Sequence, residues 1–456
     1  MTKIVKIKEN IFREYDLRGI YPSEIDASVA YTIGKSFGTY IKKMGENKTI
    51  IGHDNRLSSP ELSTFLLQGL LDSGIDVVNL GLVTTPMYYF GKKKFKFNTG
   101  IMVTASHNPK EYNGFKISFS KIGNAYGKAI TDFKDFTEAG VFDEGNGTEI
   151  KESIKNDYIN SFCKNINLGS KKIRAVVDCG NGTGSIIIKD LLDALNIEYY
   201  PLYCDSDGNF PNHHPDPSVT ENQIDLSKKV KELGYDIGIG IDGDADRLGI
   251  VLETGEIIKA DLMMLIIYRY LNHSLKNRKA LFDVKCSKTL IDELKKLDIE
   301  PVMYRTGASY TNMMMQKGDF DFGGEYSGHI FFRDHFTGCD DGIYNGLRLI
   351  EMLSHTTKKL SAFLDNTNKY YSTDEIRIKV TDDNKFAIVD KVKEYCQQKG
   401  YNYIDIDGVR VEFEDSWALV RASNTGPNLT LRFEAVSEER LEAIQKEFIE
   451  LLDRLK

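Results

Sequence analysis

The chain has 456 residues, is 41% hydrophobic and 28% charged, and carries 59 basic and 67 acidic residues for a net charge of −8. This length predicts three or four domains. The acidic balance disfavours general nucleic-acid binding, so we expect no nucleic-acid partner.

Cysteine usage and the lengths of the apolar runs indicate a cytoplasmic protein without a membrane partner. The six cysteines are dispersed and none forms a Cys-x-x-Cys pair, which predicts free thiols in a reducing compartment. Residues 1–16 alternate charged side chains with isolated apolar ones, unlike the apolar core of a signal peptide. The longest apolar run, residues 262–267, is far shorter than the ~18 residues that suggest a membrane span.

Three segments of the chain have the same pattern. An apolar strand that ends at or near Asp54, Asp178 or Asp283 is followed each time by a loop, an amphipathic helix and a second strand. Strand–helix–strand with short connections predicts a parallel crossover and hence an α/β layer fold. We therefore expect three similar α/β domains.

Each of the three segments continues with a third strand that runs into a polar loop. The loops contain "TASHNP", "DGDADR" and "GEYSGH". Ligands of open α/β sheets collect beyond the carboxyl ends of the strands. We therefore expect the three loops to meet in one cleft.

The last segment of the chain has a different pattern. Residues 372–380 alternate apolar and polar side chains, a helix is predicted over 385–398, three strands follow, and a second helix is predicted over 437–455. An antiparallel sheet with helices on one side accounts for this order. The predicted fold is thus three similar α/β mixed-sheet domains and a C-terminal α+β domain around a central active-site cleft. The predicted domain limits are 1–150, 151–255, 256–369 and 370–456.

The first polar loop places Ser106 in a Ser-His-Asn-Pro turn after an apolar strand. A hydrolytic triad is disfavoured, because the adjacent His107 would point elsewhere on most turn geometries and the Gly-x-Ser-x-Gly elbow is absent. A turn without chemistry is the second interpretation. The third is that Ser106 carries a phosphoryl group that a nearby metal neutralises. Lys116, past the next turn, is then a candidate cation or proton carrier at the same site, or else a solvated lysine.

The second polar loop carries three carboxylates, Asp242, Asp244 and Asp246, at alternate positions. In an extended segment they point the same way and repel one another unless a cation holds them. All-oxygen ligands favour a hard cation, Mg²⁺ before Ca²⁺. A solvated acidic turn is the plainer interpretation. An EF-hand is disfavoured, because Arg247 stands where that loop needs glycine and both flanks read as strands.

Two later loops offer side chains that form hydrogen bonds. Glu325 and Ser327 suit the hydroxyl groups of a sugar, and His329 is able to donate or take a proton. A turn in the end domain combines a guanidinium, hydroxyls and an amide with main-chain N–H groups, which suits a phosphate. Its residues are Arg421, Ser423, Asn424 and Thr425. A structural histidine and an ordinary strand-to-strand turn are the alternatives.

The glycine-rich segment "DCGNGTG", residues 178–184, follows a predicted strand and opens a helix, with Asp205 further along. This order suggests a dinucleotide-binding fingerprint, but the glycine spacing is Gly-x-Gly-x-Gly. The same strand–aspartate–loop–helix order also recurs at Asp54 and Asp283 without the glycines. An NAD-dependent oxidoreductase is therefore a minor alternative.

The four loops, in this order, resemble the phosphoserine, metal, sugar and phosphate loops of the α-D-phosphohexomutase superfamily. The likeness runs from "REYDLRG" at 13–19 to the final helix, and "ASHNPKEYNGFK" is most similar to the bacterial phosphomannomutase/phosphoglucomutase branch. It implies an isomerase that interconverts hexose 1-phosphate and 6-phosphate of mannose, glucose or both. The implied route is a phosphorylated Ser106 and a bound hexose 1,6-bisphosphate, which also acts as activator, with one Mg²⁺ per active site.

The resemblance also implies a role for each loop residue. The implied metal ligands are Ser106, Asp242, Asp244 and Asp246. The implied catalytic residues are Ser106, Arg18, Lys116 and His329. The implied substrate-binding residues are Arg247, Lys285, Thr306, Gly307, Glu325, Ser327, His329, Arg421, Ser423, Asn424 and Thr425. Which of Arg18, Lys116 and His329 is the general acid or base is left open.

One position departs from the family pattern. Ala308 follows Thr306 and Gly307 where many relatives of this branch carry a histidine, so proton transfer and sugar preference stay open. Phosphoglucosamine mutase of the same superfamily is an alternative, although Tyr326 and Ala245 stand where that branch usually has Gln and Gly. A non-catalytic sugar-phosphate sensor is another, and a monomer or weak homo-oligomer is expected.

Overall fold

The computed structural model describes residues 3–121, 123–333, 338–424 and 426–455. Within these residues the chain forms four sheets in succession, each packed with helices. None of the helices in the described ranges is both long enough and apolar enough to cross a membrane.

The first domain is built on a six-stranded mixed sheet of order β1-β5-β4-β2-β3-β6. Its strands are β1 (Leu17–Ile20), β2 (Lys48–His53), β3 (Asp76–Leu82), β4 (Gly100–Val103), β5 (Tyr112–Ser118) and β6 (Glu149–Lys151). Its helices are α1 (Ala27–Lys43), α2 (Ser59–Asp72), α3 (Thr85–Lys94) and α4 (Lys128–Glu138). Asp26 begins α1 by accepting a hydrogen bond from the N–H of Val29 at 2.9 Å, which satisfies one of the free donors of the first turn.

The second domain has a five-stranded sheet of order β11-β10-β9-β7-β8. Its strands are β7 (Arg174–Asp178), β8 (Glu198–Leu202), β9 (Ile237–Ile241), β10 (Leu248–Leu252) and β11 (Ile257–Ile258). Its helices are α5 (Lys155–Asn165), α6 (Ile188–Ala194) and α7 (Ile224–Leu233). Strand β9 is buried along its whole length, as expected for a strand covered on both faces.

The third domain has a four-stranded sheet of order β13-β12-β14-β15. Its strands are β12 (Lys279–Asp283), β13 (Glu300–Tyr304), β14 (Phe322–Gly324) and β15 (Ile330–Phe332). Its helices are α8 (Ala260–Leu271), α9 (Lys288–Lys296), α10 (Ala308–Gln316) and α11 (Gly342–Ser354). Short 3₁₀ helices in the first three domains lie at Glu9–Ile11, Thr183–Ile186, Thr220–Gln223 and Ser361–Leu364.

One strand order recurs in the first three sheets. The strand that leads into the crossover helix lies in the middle, between the second strand of the crossover on one side and a third parallel strand on the other. A fourth strand then returns antiparallel to the third. The predicted polar loops are the hairpins β4–β5, β9–β10 and β14–β15, so equivalent ends of three sheets carry them.

The fourth domain is an antiparallel sheet with two helices packed against it. Its strands are β16 (Tyr371–Ser372), β17 (Ile376–Lys379), β18 (Tyr403–Ile404), β19 (Val409–Glu412), β20 (Ser416–Ala422) and β21 (Asn428–Ala435). Its helices are α12 (Lys385–Lys399) and α13 (Glu438–Leu455). Apolar residues of both helices, including Val392 and Phe448, are buried against β20 and β21. With three mixed sheets followed by this domain, the predicted fold class is confirmed.

The cores show how the domains are joined. One apolar core is continuous from Ile50 of the first domain through Ile239 of the second to Phe282 of the third. The fourth domain has its own core and meets the third through Trp417, which packs with Val284. The first three domains therefore form one packed body, and the fourth is attached to it by a smaller apolar contact.

Two strands place residues of the first and second sheets beyond the predicted limits at 150 and 255. β6 pairs with β3 and continues to Lys151, and β11 pairs with β10 and continues to Ile258. Both strands are short and flanked by polar residues, so their sheet membership is set by long-range pairing and not by local pattern. The remaining limits stay predictions.

Candidate active site

Loops of all four domains line one cleft with a volume of about 730 Å³. The predicted site residues that line it are Arg18, Ser106, Lys116, Asp246, Arg247, Lys285, Thr306, Gly307, Glu325, Ser327, His329, Arg421, Ser423 and Asn424. Asp242 and Asp244 are fully buried beside it. Thr425 lies outside the described residues. Parts of the chain that are more than 300 residues apart in sequence, such as Ser106 and Arg421, thus face one space.

Ser106 lies at the start of the hairpin between β4 and β5, with 3% of its surface exposed. Its φ is 51°, a left-handed backbone conformation that is uncommon for serine and typical of functional turns. This conformation directs Oγ toward the second domain, where it donates a hydrogen bond to Asp242 Oδ2 at 3.2 Å. The phosphoserine and metal loops predicted from the sequence are therefore in direct contact.

The expectation that His107 points away from Ser106 is wrong. The left-handed turn brings the ring back, so that His107 Nδ1 lies 3.2 Å from Ser106 Oγ. Burial and the nearby cations Arg247 and Arg18 hold the pKa of His107 well below its usual range. The ring is therefore neutral at neutral pH and suited to form a hydrogen bond with the serine oxygen, which local pattern alone did not indicate.

The three aspartates of the β9–β10 hairpin form a compact cluster. One oxygen of each lies within 4.8 Å of the others. Asp242 Oδ1 accepts the main-chain N–H groups of Asp246 and Arg247, both at 3.0 Å, which closes the loop. Burial and the charges of Asp246 and Asp244 raise the pKa of Asp242 well above its usual range. Three buried carboxylates with this repulsion form a site that could hold a metal ion.

Lys116 of β5 extends to the same cluster. Its Nζ lies 2.6 Å from Asp244 Oδ2 and 2.5 Å from Asp246 Oδ2. The other oxygens, Asp244 Oδ1 and Asp246 Oδ1, are buried and have no hydrogen-bond partner among the described residues. Although burial lowers the pKa of Lys116, the two carboxylates outweigh that effect and raise it. Lys116 is therefore a fixed cation, and the two unpartnered oxygens fit a hard cation that prefers carboxylate ligands.

His329 connects the sugar loop with the metal loop. Its Nδ1 lies 2.9 Å from Asp340 Oδ2 and 3.6 Å from Asp246 Oδ1. Its Nε2 accepts a hydrogen bond from Arg247 Nε at 3.0 Å, which requires that the ring proton be on Nδ1. The histidine is thus oriented by an acid on one side and an arginine on the other.

The sugar loop holds Glu325 in a fixed orientation. Glu325 Oε1 accepts hydrogen bonds from Thr311 Oγ at 2.6 Å and from Gly307 N at 3.1 Å, and Ser327 Oγ donates to Oε2 at 3.1 Å. A carboxylate has about four acceptor positions, so Glu325 keeps capacity for hydroxyl groups in the cleft.

Carboxylates hold two of the cations predicted to bind the substrate, Arg421 and Lys285. Arg421 Nε lies 3.1 Å from Asp407 Oδ2, and Lys285 Nζ lies 2.7 Å from Glu375 Oε1. Although burial opposes the shift, Lys285 lowers the pKa of Glu375 to about 2. Lys285 comes from the third domain and Glu375 from the fourth, so this ion pair joins the two domains at the cleft.

Arg18, a predicted catalytic residue, has neighbours in the cleft that were not predicted. Arg18 pairs with Asp16 and donates to Asn108 Oδ1 at 2.8 Å. Tyr15 also lines the cleft, and burial raises its pKa to about 12, so it is a neutral donor. Tyr15 and Asp16 belong to the "YDLRG" segment that carries Arg18, so this segment was a usable signal for them. The partners Asp340, Glu375 and Asp407 carry no such signal, because only the fold brings them to the cleft.

The glycine-rich segment that suggested a dinucleotide site has a structural role. Thr183 N donates to the carbonyl of Gly243 in the metal loop at 2.8 Å. A side chain at Gly182 would place its Cβ 2.8 Å from the same carbonyl oxygen, so glycine is needed for this close approach. The segment is buried beneath the metal loop, where it leaves no access for a dinucleotide.

Four family models match consecutive parts of the chain. They describe phosphoglucomutase/phosphomannomutase α/β/α domains I, II and III and the C-terminal domain, at residues 9–138, 156–255, 259–370 and 375–451. The resemblance inferred from the four loops is thereby confirmed.

Full-length relatives agree with the family models. A phosphomannomutase/phosphoglucomutase of Pseudomonas aeruginosa is 40% identical over 447 residues, which cover 98% of this chain and 96% of the relative. A phosphoglucomutase of Neisseria gonorrhoeae is 38% identical over 449 residues, with 98% and 97% coverage. The crystal structure of a phosphoglucomutase/phosphomannomutase family protein from Burkholderia thailandensis has a TM-score of 0.90 at 35% identity, with 99% and 98% coverage.

Proposed function

The chain belongs to the phosphoglucomutase/phosphomannomutase family, and from that premise we propose that it is a phosphohexomutase. It interconverts the 1-phosphate and 6-phosphate of a hexose, mannose or glucose or both, through phosphorylated Ser106 and a bound hexose 1,6-bisphosphate. The contact of Ser106 Oγ with Asp242 Oδ2, 3.2 Å, at one wall of a cleft that Arg421 lines, supports this proposal.

The reaction places the phosphate of the substrate at one end of the cleft and the phosphoryl group of Ser106 at the other. The phosphoryl group on Ser106 moves to the free hydroxyl of the sugar phosphate, so the bond from phosphorus to Oγ breaks as a bond to the sugar oxygen forms. The hydroxyl proton leaves to a group in the cleft, for which His329 is a candidate, and the released Ser106 Oγ takes up a proton. After the bisphosphate turns, the other phosphoryl group returns to Ser106, and the serine ends the cycle as it began.

The charges in the cleft suit a phosphoryl group in transfer. Arg18, Lys116 and Arg247 line the reacting end. Their charge opposes the negative charge of the phosphoryl oxygens, which is most of what phosphoryl transfer requires of a protein. Because Lys116 is fixed by two carboxylates, its position favours a role in charge neutralisation over proton transfer.

We propose Mg²⁺ as the metal, held by Asp242, Asp244, Asp246 and the phosphorylated Ser106. Asp244 Oδ1 and Asp246 Oδ1, which accept no hydrogen bond from any described residue, support this assignment. When bound, the ion would neutralise charge on the phosphoryl group and so make phosphorus more electrophilic.

The substrate end of the cleft is proposed to bind the sugar and the phosphate that is not reacting. Glu325 and Ser327 contact sugar hydroxyls, and Thr306 and Gly307 lie beside them on the cleft wall. The non-reacting phosphate is bound by Lys285, Arg421, Ser423 and Asn424, with Thr425 assigned from the loop pattern alone. His329 is also assigned to the substrate-binding residues.

A coupled assay tests the function and the sugar. Glucose, mannose and glucosamine 1-phosphates are supplied in turn with Mg²⁺ and catalytic hexose 1,6-bisphosphate, and formation of each 6-phosphate is measured. Turnover of glucose or mannose phosphate supports the proposal, and turnover of glucosamine phosphate alone would favour the phosphoglucosamine branch. Tight binding without any interconversion would favour the sensor. A cytoplasmic location and a monomeric or weakly oligomeric state stay predictions.

We expect Arg421→Lys to raise KM for the hexose phosphate by about tenfold, because lysine cannot reproduce a planar, bidentate phosphate contact. The expected fall in kcat is smaller, since Ser106 and its metal loop are untouched. Steady-state kinetics at saturating Mg²⁺ measures both. Arg440→Lys is the matched control, because Arg440 pairs with Asp415 on the outside of the same domain. An unchanged KM for Arg421→Lys would contradict the assignment of the phosphate end.

A further inference from the structure

A buried arginine lies directly beneath the Ser106 loop. Arg56, 1% exposed, donates hydrogen bonds to four main-chain carbonyl oxygens between Ser106 and Tyr112, the first residue of β5. Its Nη2 contacts Ser106 O at 2.7 Å and Asn108 O at 2.6 Å. Its Nη1 contacts Pro109 O at 2.7 Å and Tyr112 O at 3.0 Å. One side chain therefore connects both ends of the β4–β5 hairpin loop.

Arg56 is itself held from the other side. Its Nε lies 3.2 Å from Asp54 Oδ2, and Asp54 Oδ1 accepts the main-chain N–H of Arg56 at 3.1 Å and the hydroxyl of Ser59 at 2.5 Å. The ring of Phe210, from the second domain, lies 5.4 Å from the guanidinium carbon. The guanidinium is thus anchored to the end of β2 and covered by the neighbouring domain, which leaves it little freedom to reorient.

The shape of the group explains why an arginine stands here. A guanidinium presents five N–H donors in a fixed plane, whereas a lysine has three donors on one point. Ser106 is in the left-handed conformation, which is unfavourable for a residue with a side chain and persists only where its surroundings stabilise it. One of the four hydrogen bonds from Arg56 goes to the carbonyl of Ser106 itself. The contact therefore stabilises the conformation that directs Oγ to Asp242.

The equivalent position of the third domain has a different use. Lys285 follows Asp283 at the end of β12 as Arg56 follows Asp54 at the end of β2, two residues on in each case. Lys285 lines the cleft, but Arg56 is not among the cleft residues and turns beneath the loop. The same place in the repeated fold thus contributes to the cleft in one domain and supports a loop in another.

We propose that Arg56 is a positioning residue for phosphoryl transfer, which holds Ser106 Oγ in line with the metal loop by fixing the carbonyls of its hairpin. This inference rests on the proposed mutase function. Arg56 does not contact the reacting atoms, so it acts through the loop alone. Its loss should lower the rate of transfer while leaving the phosphate end of the cleft intact.

Arg56→Lys is the first test, because it keeps the positive charge and removes the planar set of N–H donors. Because a misplacement of reacting groups by about 1 Å can cost ~100-fold in rate, we expect kcat to fall by about 10- to 100-fold and KM to change less than about twofold. Phosphorylation of Ser106 is measured by mass spectrometry. The linewidth of the phosphoserine resonance is measured by phosphorus NMR, and a more mobile loop should change that linewidth. Turnover is divided by the folded fraction, so that poor folding alone does not count as support.

Arg269→Lys is the matched control. Arg269 Nη1 also donates to main-chain carbonyls, those of Phe363 at 2.6 Å and Asp365 at 3.1 Å, and Nη2 pairs with Glu293 at 2.6 Å, away from the cleft. We expect its kcat to equal that of wild type. If Arg56→Lys does not fold, Asp54→Asn is used instead, because it weakens the ion pair that holds Arg56 and keeps the acceptor for the main-chain N–H of Arg56. We expect a smaller fall in kcat in this variant, again with little change in KM.

The outcomes separate this inference from the proposed function. Wild-type protein that turns over no hexose phosphate would overturn the function on which the inference rests. Active wild type with equal turnover per folded molecule in Arg56→Lys, or in Asp54→Asn if that variant has to be used, would overturn the inference alone. A rise in KM with unchanged kcat would also overturn it, because it would place the effect of Arg56 on binding.

Discussion

Ser106→Ala is expected to reduce mutase turnover by about ten-thousand-fold or more, because it removes the atom that carries the phosphoryl group and no other group can replace a covalent carrier. The side chain is buried and its only described hydrogen bonds are those to His107 and Asp242, so the variant should fold normally. Binding of hexose phosphate should persist, since the phosphate end of the cleft is unchanged.

Turnover, phosphorylation and binding are measured on the same preparations. Mass spectrometry should find one phosphate on wild-type Ser106 after incubation with hexose 1,6-bisphosphate and none on the variant. Ser274→Ala is the control, because Ser274 is an exposed serine whose hydroxyl donates, within the described part of the chain, only to the carbonyl of Leu271. A Ser106→Ala protein with substantial mutase activity would show that phosphoserine is not the carrier and would end the proposed mechanism.

Asp242→Asn is expected to weaken Mg²⁺ binding by more than the ~10- to 100-fold that loss of an outer-shell partner typically costs. The asparagine can keep Oδ1, which accepts the N–H groups of Asp246 and Arg247, so the loop should retain its shape. It replaces Oδ2, the oxygen that faces Ser106, with an NH₂ group that cannot bind a cation. Turnover should fall with metal affinity, and excess Mg²⁺ should restore it only in part.

The pH dependence of metal binding gives a readout that needs no catalysis. The pKa of Asp242 is raised because it is buried beside Asp246 and Asp244, so below that pKa a proton occupies the carboxylate that the cation needs. Affinity for Mg²⁺ in the wild type should therefore rise as pH increases, and binding should release protons. Asp242→Asn should release fewer.

Titration calorimetry in buffers of different ionisation enthalpy measures both quantities. Asp321→Asn is the control, since Asp321 accepts main-chain N–H groups of Lys276 and Asn277 in the third domain, away from the metal loop. Equal metal affinity in wild type and Asp242→Asn would remove Asp242 from the ligand set. Tight Mg²⁺ binding to the wild type without proton release would contradict the raised pKa.

Local pattern was sufficient for most of the fold. Apolar strands, amphipathic helices and the aspartates that follow the strands repeat three times, and this repetition predicted three similar α/β domains. The local pattern did not predict which short strands pair at the edges of the sheets. β11 has two residues, Ile257 and Ile258, and only pairing with β10 makes it part of the second sheet.

The candidate site divides in the same way. Ser106 and the three aspartates were predicted because they lie in short loops whose local sequence is itself typical of a phosphoserine or metal site. Their partners were not found, because a carboxylate such as Asp340 or Asp407 has no distinctive neighbours in sequence. Asp340 meets His329 within the third domain and Asp407 meets Arg421 within the fourth, and each pair forms only when its domain folds.

His107 and Arg56 show where sequence reasoning reached its limit. The sequence by itself determined the four loops, the order of the domains and the residue types that bind metal, sugar and phosphate, because these depend on periodicity and local chemistry. Only the tertiary structure decided where each side chain points: a left-handed turn at Ser106 brings His107 to the serine oxygen, and Arg56 lies beneath that turn. Backbone conformation and long-range hydrogen bonds depend on the whole packed fold, which no single stretch of sequence specifies.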